Sequence, residues 1–205
     1  GTFVALDLIL FFVFFEIVLL PMYFMIGIWG DKTVRTVSGF KNQIETRLYA
    51  SIKFFVFTLF GSAFMLLGFL GLYYRGNKTF SIPELIELGT SGAFTGTFAT
   101  LVFAVLFLGF AVKVPMWPLH TWLPDAHTAA PTVGSVLLAA ILLKLGSYGF
   151  VRIAIPILPE QAKAWAPAIA ILSAIGIIYG SLACLAQTDL KLSLIHISEP
   201  TRRTI

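Results

Sequence analysis

Three ionisable side chains stand inside stretches that otherwise read as hydrocarbon. Glu16 interrupts LFFVFFEIVLLPMYF, Lys113 closes an apolar run just before VPMWP, and Lys144 lies deep within VGSVLLAAILLKLGSYG. Between the two lysines runs a connector with Pro115, Pro118, Pro124 and Pro131, and with His120, Asp125 and His127. An ionisable group in a membrane-spanning segment is costly and by default marks an ion or proton path. The chemistry these residues offer is therefore exchange of protons, not the making of bonds.

Each candidate has a structural reading beside the functional one. Burial disfavours an ionised carboxylate unless a cation lies near, so Glu16 either pairs with a lysine in a relay or serves as a neutral, hydrogen-bonded fixture. Pro21 lacks an N–H and leaves the carbonyl of Ile17 without its helical partner, a kink where a polar group can bind. Pro115 does the same to the carbonyl of Ala111, two residues past Lys113. Broken helices of this kind line cavities in transporters. The alternative is a Lys113 that snorkels to the interface. Lys144 is too far from either end of its run for that. Gly134, Ser135, Ala139 and Ala140 before it, and Gly146, Ser147 and Gly149 after it, let helices approach closely. The hydroxyl of Tyr148 one turn on suits a proton relay with Lys144. His120 and His127 are titrating proton carriers or caps at helix ends, and Asp125 reads as a turn or cap residue. Their spacing matches no standard metal site, so none is expected. No nucleotide loop, nucleophile triad or carboxylate pair is visible, so no catalytic residue is assigned.

The elements that must position these groups follow from composition. The chain has 205 residues, 58% of them hydrophobic and 12% charged, where soluble domains carry about 25% charged residues. Continuous apolar runs near Ala5–Trp29, Ile52–Tyr74, Phe94–Val112, Val133–Ile157 and Ala164–Ala186 are each long enough to cross a bilayer as a helix, which takes about 20 residues. Their lack of alternation argues against a barrel. The expected fold is an all-α polytopic membrane helix bundle of about five transmembrane helices, one of them broken by proline. The single Cys184 reads as a small core residue.

The loop from Gly30 to Ser51 carries Lys32, Arg35, Lys41 and Arg47. Charge bias places it in the cytoplasm, with the Lys113–Lys144 connector and Lys191 on the same side. The loop is long enough for a short interfacial helix. Trp29, Tyr73, Tyr74 and Trp165 at run ends fit the interface. A second short helix is expected near Ser81–Leu88, with Ser81 as cap, Pro83 in the first turn and Glu84 at the positive dipole end. The net charge of +4 sits in loops and does not imply nucleic acid. No cleavable leader is visible and the chain opens without Met, so it is expected to be an internal piece of a longer protein.

FFEIVLLPMYFMIGIWG, KFFVFTLFGSAFMLL, FAVKVPMWPLHTWLPDAHTAAPTVGSVLLAAILLKLGSYGFVR and YGSLACLAQTDLK together resemble the antiporter-like membrane subunits of respiratory complex I. The likeness covers Leu6 to Lys191 and extends to cation/proton antiporter and membrane-bound hydrogenase subunits. Such subunits have about fourteen helices in two inverted repeats, each with a broken helix. The resemblance implies that this chain holds most of the first repeat, residues 1–191. Glu16 then matches the family's intramembrane Glu, Lys113 the broken-helix Lys that pairs with it, and Lys144 the lysine passing protons toward the second half. It implies proton conduction coupled to NADH oxidation by quinone, with NADH, FMN, Fe–S clusters and quinone handled by partner subunits. The implied partners are neighbouring antiporter-like subunits and the lipid bilayer, in a bacterial plasma membrane or the mitochondrial inner membrane. A cation/proton antiporter subunit and a structural scaffold are the alternatives. Residues 192–205 are polar, depart from the family, and read as translated adaptor sequence, so His196 is assigned no role.

Overall fold

A computed structural model of the chain describes residues 1–36 and 43–186. Lys41, Lys191, His196 and the proposed boundary at 191–192 lie outside the described residues. The apolar runs fold as helices because a backbone in hydrocarbon must satisfy its own hydrogen bonds. The first crossing, Leu8–Trp29, consists of α1 (Leu8–Ile17) and α2 (Leu19–Trp29), separated at Val18. Pro21 sits in the first turn of α2, so the break falls where its missing N–H predicts. Asp7 caps α1, its Oδ1 accepting from the backbone N–H of Ile9 at 2.8 Å and of Leu10 at 3.0 Å.

The loop that follows, long enough for a short interfacial helix, instead holds an antiparallel pair of strands among its described residues, β1 (Val34–Thr36) and β2 (Gln43–Glu45). Its ends are drawn together by the Thr46 amide on the Thr33 carbonyl at 2.9 Å and the Arg47 amide on the Asp31 carbonyl at 3.2 Å, which closes a hairpin. The unbroken helix α3 (Thr46–Arg75) is the second crossing. Next comes α4 (Ile82–Thr90), with Pro83 and Glu84 in its opening turn as expected. The Ser81 side chain makes no capping bond. Its amide instead donates to the Thr79 hydroxyl at 3.2 Å.

The third crossing is α5 (Gly96–Lys113), which stops at Lys113 and resumes after a turn as α6 (Trp122–Ala129). The sequence reading ended this span near Val112, with a helix break at Pro115, and put the Lys113–Lys144 connector on the cytoplasmic side. The structure makes its first half the interior of a discontinuous helix, because α6 completes the path to the β1–β2 side. There the Asp31 amide donates to the Ala129 carbonyl at 2.8 Å. The fourth crossing, Thr132–Ile157, comprises α7 (Thr132–Leu137), α8 (Leu143–Gly149) and α9 (Ile155–Ile157), joined by π-helical turns at Leu138–Leu142 and Phe150–Ala154. The fifth is α10 (Pro159–Ala186), which carries Cys184 in a half-buried position and is almost uncovered by the other helices. The core is an apolar cluster built on α1, α3 and α5, including Phe11, Phe15, Phe54, Phe69 and Phe110.

Candidate functional site: a discontinuous helix flanked by buried charge

Glycine decides how close the charges come. A Cβ on Gly61 would lie 2.8 Å from Val112 Cβ, and one on Gly109 would lie 2.9 Å from the Gly61 carbonyl oxygen. These two glycines let the backbones of α3 and α5 touch, as small residues do in membrane packing. The contact brings the end of α5 against Ser62 of α3 and Glu16 of α1. Lys113 is only 2% exposed. Its Nζ has no hydrogen-bond partner among the described residues and stands 4.9 Å from the ring centroid of Phe15, within range of a cation–π attraction. Glu16 is its electrostatic counterpart, with Ser62 beside the carboxylate. Lys113 therefore does not snorkel. Glu16 and Lys113 face each other across the helix interface without a direct hydrogen bond, and Oε1 of Glu16 is also buried and unbonded.

The break beyond Lys113 is stabilised by specific partners. Pro115 frees the Ala111 carbonyl, and the Met116 amide takes it at 2.9 Å. The Val112 carbonyl accepts from the indole Nε1 of Trp122 at 3.0 Å. Trp122 packs on Phe54 of α3, with ring centroids 5.5 Å apart. Pro118 follows in the turn, after a cis Trp117–Pro118 peptide. On α6, Asp125 forms an ion pair with Lys53 of α3 at 2.6 Å. This is a contact between helices, where the sequence suggested a turn or cap.

Lys144 approaches the same break from the fourth crossing. Gly146, two residues on, packs so closely that a Cβ there would lie 3.0 Å from Lys113 Cβ and 3.1 Å from the Phe110 carbonyl oxygen. Gly149 packs against the Phe110 ring. Half-buried, Lys144 lines a cavity of about 950 Å³ that opens beside Pro115 and Met116 and also takes in His120, Ser147 and Tyr179. The rings of His120 and Tyr179 meet edge to face, 5.1 Å apart. The cavity thus joins one flank of the break to Lys144 and His120.

Two other expected residues lie apart from this cavity. His127 is 1% exposed within α6 and is not among the cavity-lining residues, and its carbonyl accepts from Ser135 Oγ at 3.2 Å. The Tyr148 hydroxyl donates to the Phe3 carbonyl at 2.8 Å, and its ring stacks near Phe11, so it too lies off the cavity lining. Ser62, Trp122 and the Lys53–Asp125 pair were missed from sequence. Ser62 and Lys53 did carry a signal, being polar residues inside an apolar run. Among the described residues, no group of three or more His, Cys, Asp or Glu could hold a metal ion.

Apolar crossings, a proline-broken helix with a buried amine at its end, a facing carboxylate and a second amine on a cavity define a membrane module of the transporter class. The chain belongs to the family described as NADH:quinone oxidoreductase/Mrp antiporter, TM, whose model matches residues 5–198. It is 47% identical over 200 residues to NADH-quinone oxidoreductase subunit M of Rhodobacter capsulatus, covering 93% of this chain and 36% of that protein. It is 46% identical over 191 residues to NADH-ubiquinone oxidoreductase chain 4 of Arabidopsis thaliana, covering 93% of this chain and 35% of that protein. Among solved structures it resembles a chain of respiratory complex I from Thermus thermophilus with bound NADH, with a TM-score of 0.80 and 32% identity over 96% of this chain and 38% of that one. It also resembles a chain of an archaeal membrane-bound sulfane sulfur reductase, with a TM-score of 0.76 and 25% identity over 93% of this chain and 36% of that one. The chain thus spans little more than a third of the length of these relatives.

Proposed function

We propose that this chain is the proton-conducting first module of a membrane-arm subunit of NADH-quinone oxidoreductase, the activity named for its relatives. The observation that carries the proposal is Lys113. It is a buried amine without a hydrogen-bond partner among the described residues, at the end of a broken helix, between the Glu16 carboxylate and the backbone beside Lys144. A charge so placed is retained at a cost, and a relay accounts for that cost. When Glu16 is close and ionised, the proton on Lys113 is held. When that attraction weakens, the proton is released past the Gly146 contact toward Lys144, which lines the cavity beside Pro115 and Met116 while Lys113 itself does not. His120 is placed to exchange protons at the cavity wall. His127 and Tyr148 hold the helices around the path.

The redox chemistry belongs to partner subunits that bind NADH, flavin, Fe–S clusters and quinone, and neighbouring antiporter-like subunits complete the assembly in a bacterial or mitochondrial inner membrane. The test is made in the full-length subunit within its complex. Lys113→Met and Lys144→Met should each cut NADH-driven acidification of inverted vesicles at least about fivefold while the complex still assembles. Normal pumping with defective assembly would instead assign these lysines to a scaffold.

A second reading rests on the family description, which includes the Mrp antiporter, and on the likeness to the sulfane sulfur reductase chain. The same residues then exchange protons for another cation. Sodium efflux from vesicles, driven by an imposed pH gradient in the absence of NADH, would favour it.

A further inference from the structure

Both sides of the break are moored to one helix. On the α5 side, Gly61 of α3 meets Val112 and Ser62 lies beside the Glu16 carboxylate. On the α6 side, Phe54 packs on Trp122 and Lys53 reaches Asp125, 72 positions away in sequence, at 2.6 Å. Lys53 and Phe54 precede Gly61 by about two turns, so one unbroken helix carries the contacts to both halves of the discontinuous helix. Other bonds to α6 include the Trp122 indole on the Val112 carbonyl, the Asp31 amide on the Ala129 carbonyl and the Ser135 hydroxyl on the His127 carbonyl. α6 has eight residues, too few to be stable on its own helical propensity. The Lys53–Asp125 ion pair ties α6 to α3 and is half-buried, with the Lys53 Nζ also 5.5 Å from the Tyr49 ring.

We propose that Lys53 and Asp125 are positioning residues for proton transfer. Their ion pair latches α6 to α3 and so fixes the width of the break that separates Lys113 from His120. The inference rests on the proton-relay reading above, since it assigns the pair a part in that path. Neither residue touches the cavity or Lys113, so the pair acts through the position of the helix.

The test uses the full-length subunit in its assembled complex, with Lys53→Met, Asp125→Asn and the exchanged pair Lys53→Asp with Asp125→Lys. Hydrogen exchange followed by mass spectrometry reads the backbone amides of residues 116–130 directly, independently of any transport. Each single variant should raise exchange there at least about tenfold while leaving α3 amides protected, and the exchanged pair should restore protection. Pumping per NADH oxidised should fall in the singles and recover in the exchanged pair. Unchanged exchange in the singles would overturn the latch whatever pumping does. So would loosened segments that still pump at the parental ratio, provided Lys113→Met abolishes pumping in the same preparation. If Lys113→Met leaves pumping intact, the relay reading fails, and exchange alone then decides whether the latch exists.

Discussion

Lys113 is held by an aromatic face and a carboxylate that does not bond to it directly, and this looseness is what a group that gains and loses a proton requires. Glu16→Gln removes the facing charge and nearly nothing else in volume. In the full-length subunit it should slow pumping severalfold while the complex assembles normally, as measured by vesicle acidification; unaltered pumping would show that Lys113 does not depend on Glu16. Trp122 has the opposite character, since its bond to the Val112 carbonyl is purely structural. Trp122→Phe leaves that buried acceptor unsatisfied and should cost about 1–3 kcal/mol, read as a lower denaturation temperature of the purified complex. Glu16, Lys113 and Lys144 were legible as residues because charge in an apolar run is conspicuous. The direction of Tyr148 was not. Spacing put its hydroxyl one turn from Lys144, but the π-helical turns flanking α8 and the nearby Phe3 carbonyl send it elsewhere.

At the scale of elements, proline and glycine divide the work. Pro21 and Pro115 place the two breaks, at Val18 and after Lys113, and both were readable because a missing N–H always frees the carbonyl four residues earlier. Glycine sets the distances, and this was not readable, since which glycine meets which depends on how the helices cross. Gly109→Leu would force its side chain into Met65 and the Gly61 carbonyl. It should separate α5 from α3, destabilising the bundle by about 1–3 kcal/mol or more. Native-gel recovery of the complex should drop sharply; recovery at the parental level would show that the α3–α5 approach tolerates a side chain there. The pairing of α3 with α6 through Lys53 and Asp125 was equally invisible, because no local rule links residues 72 positions apart.

For the whole molecule, the five crossings alternate in direction. The β1–β2 hairpin and the end of α6 share one side, joined by Asp31 and Ala129, while α4 and the end of α9 meet on the other, where Gly89 packs against Ile157. From the lysines and arginines of the first loop, the hairpin side is expected in the cytoplasm. A cysteine at exposed Lys32 should therefore react with an impermeant maleimide in inverted vesicles, and one at exposed Glu84 only in right-side-out cells or mitoplasts. The reverse pattern would invert the direction of the whole path. α10, almost uncovered here, presents an apolar flank consistent with a chain that spans little more than a third of its relatives.

By itself the sequence determined the crossings, their breaks and the charged residues within them, because a bilayer makes each of these a local matter of hydropathy and missing hydrogen bonds. Only the tertiary structure decided which charges face one another. That depends on the backbone approach at Gly61, Gly109 and Gly146, on the continuation of α5 into α6, and on an ion pair between distant helices. These are properties of helix surfaces in contact, and no single stretch of chain contains them.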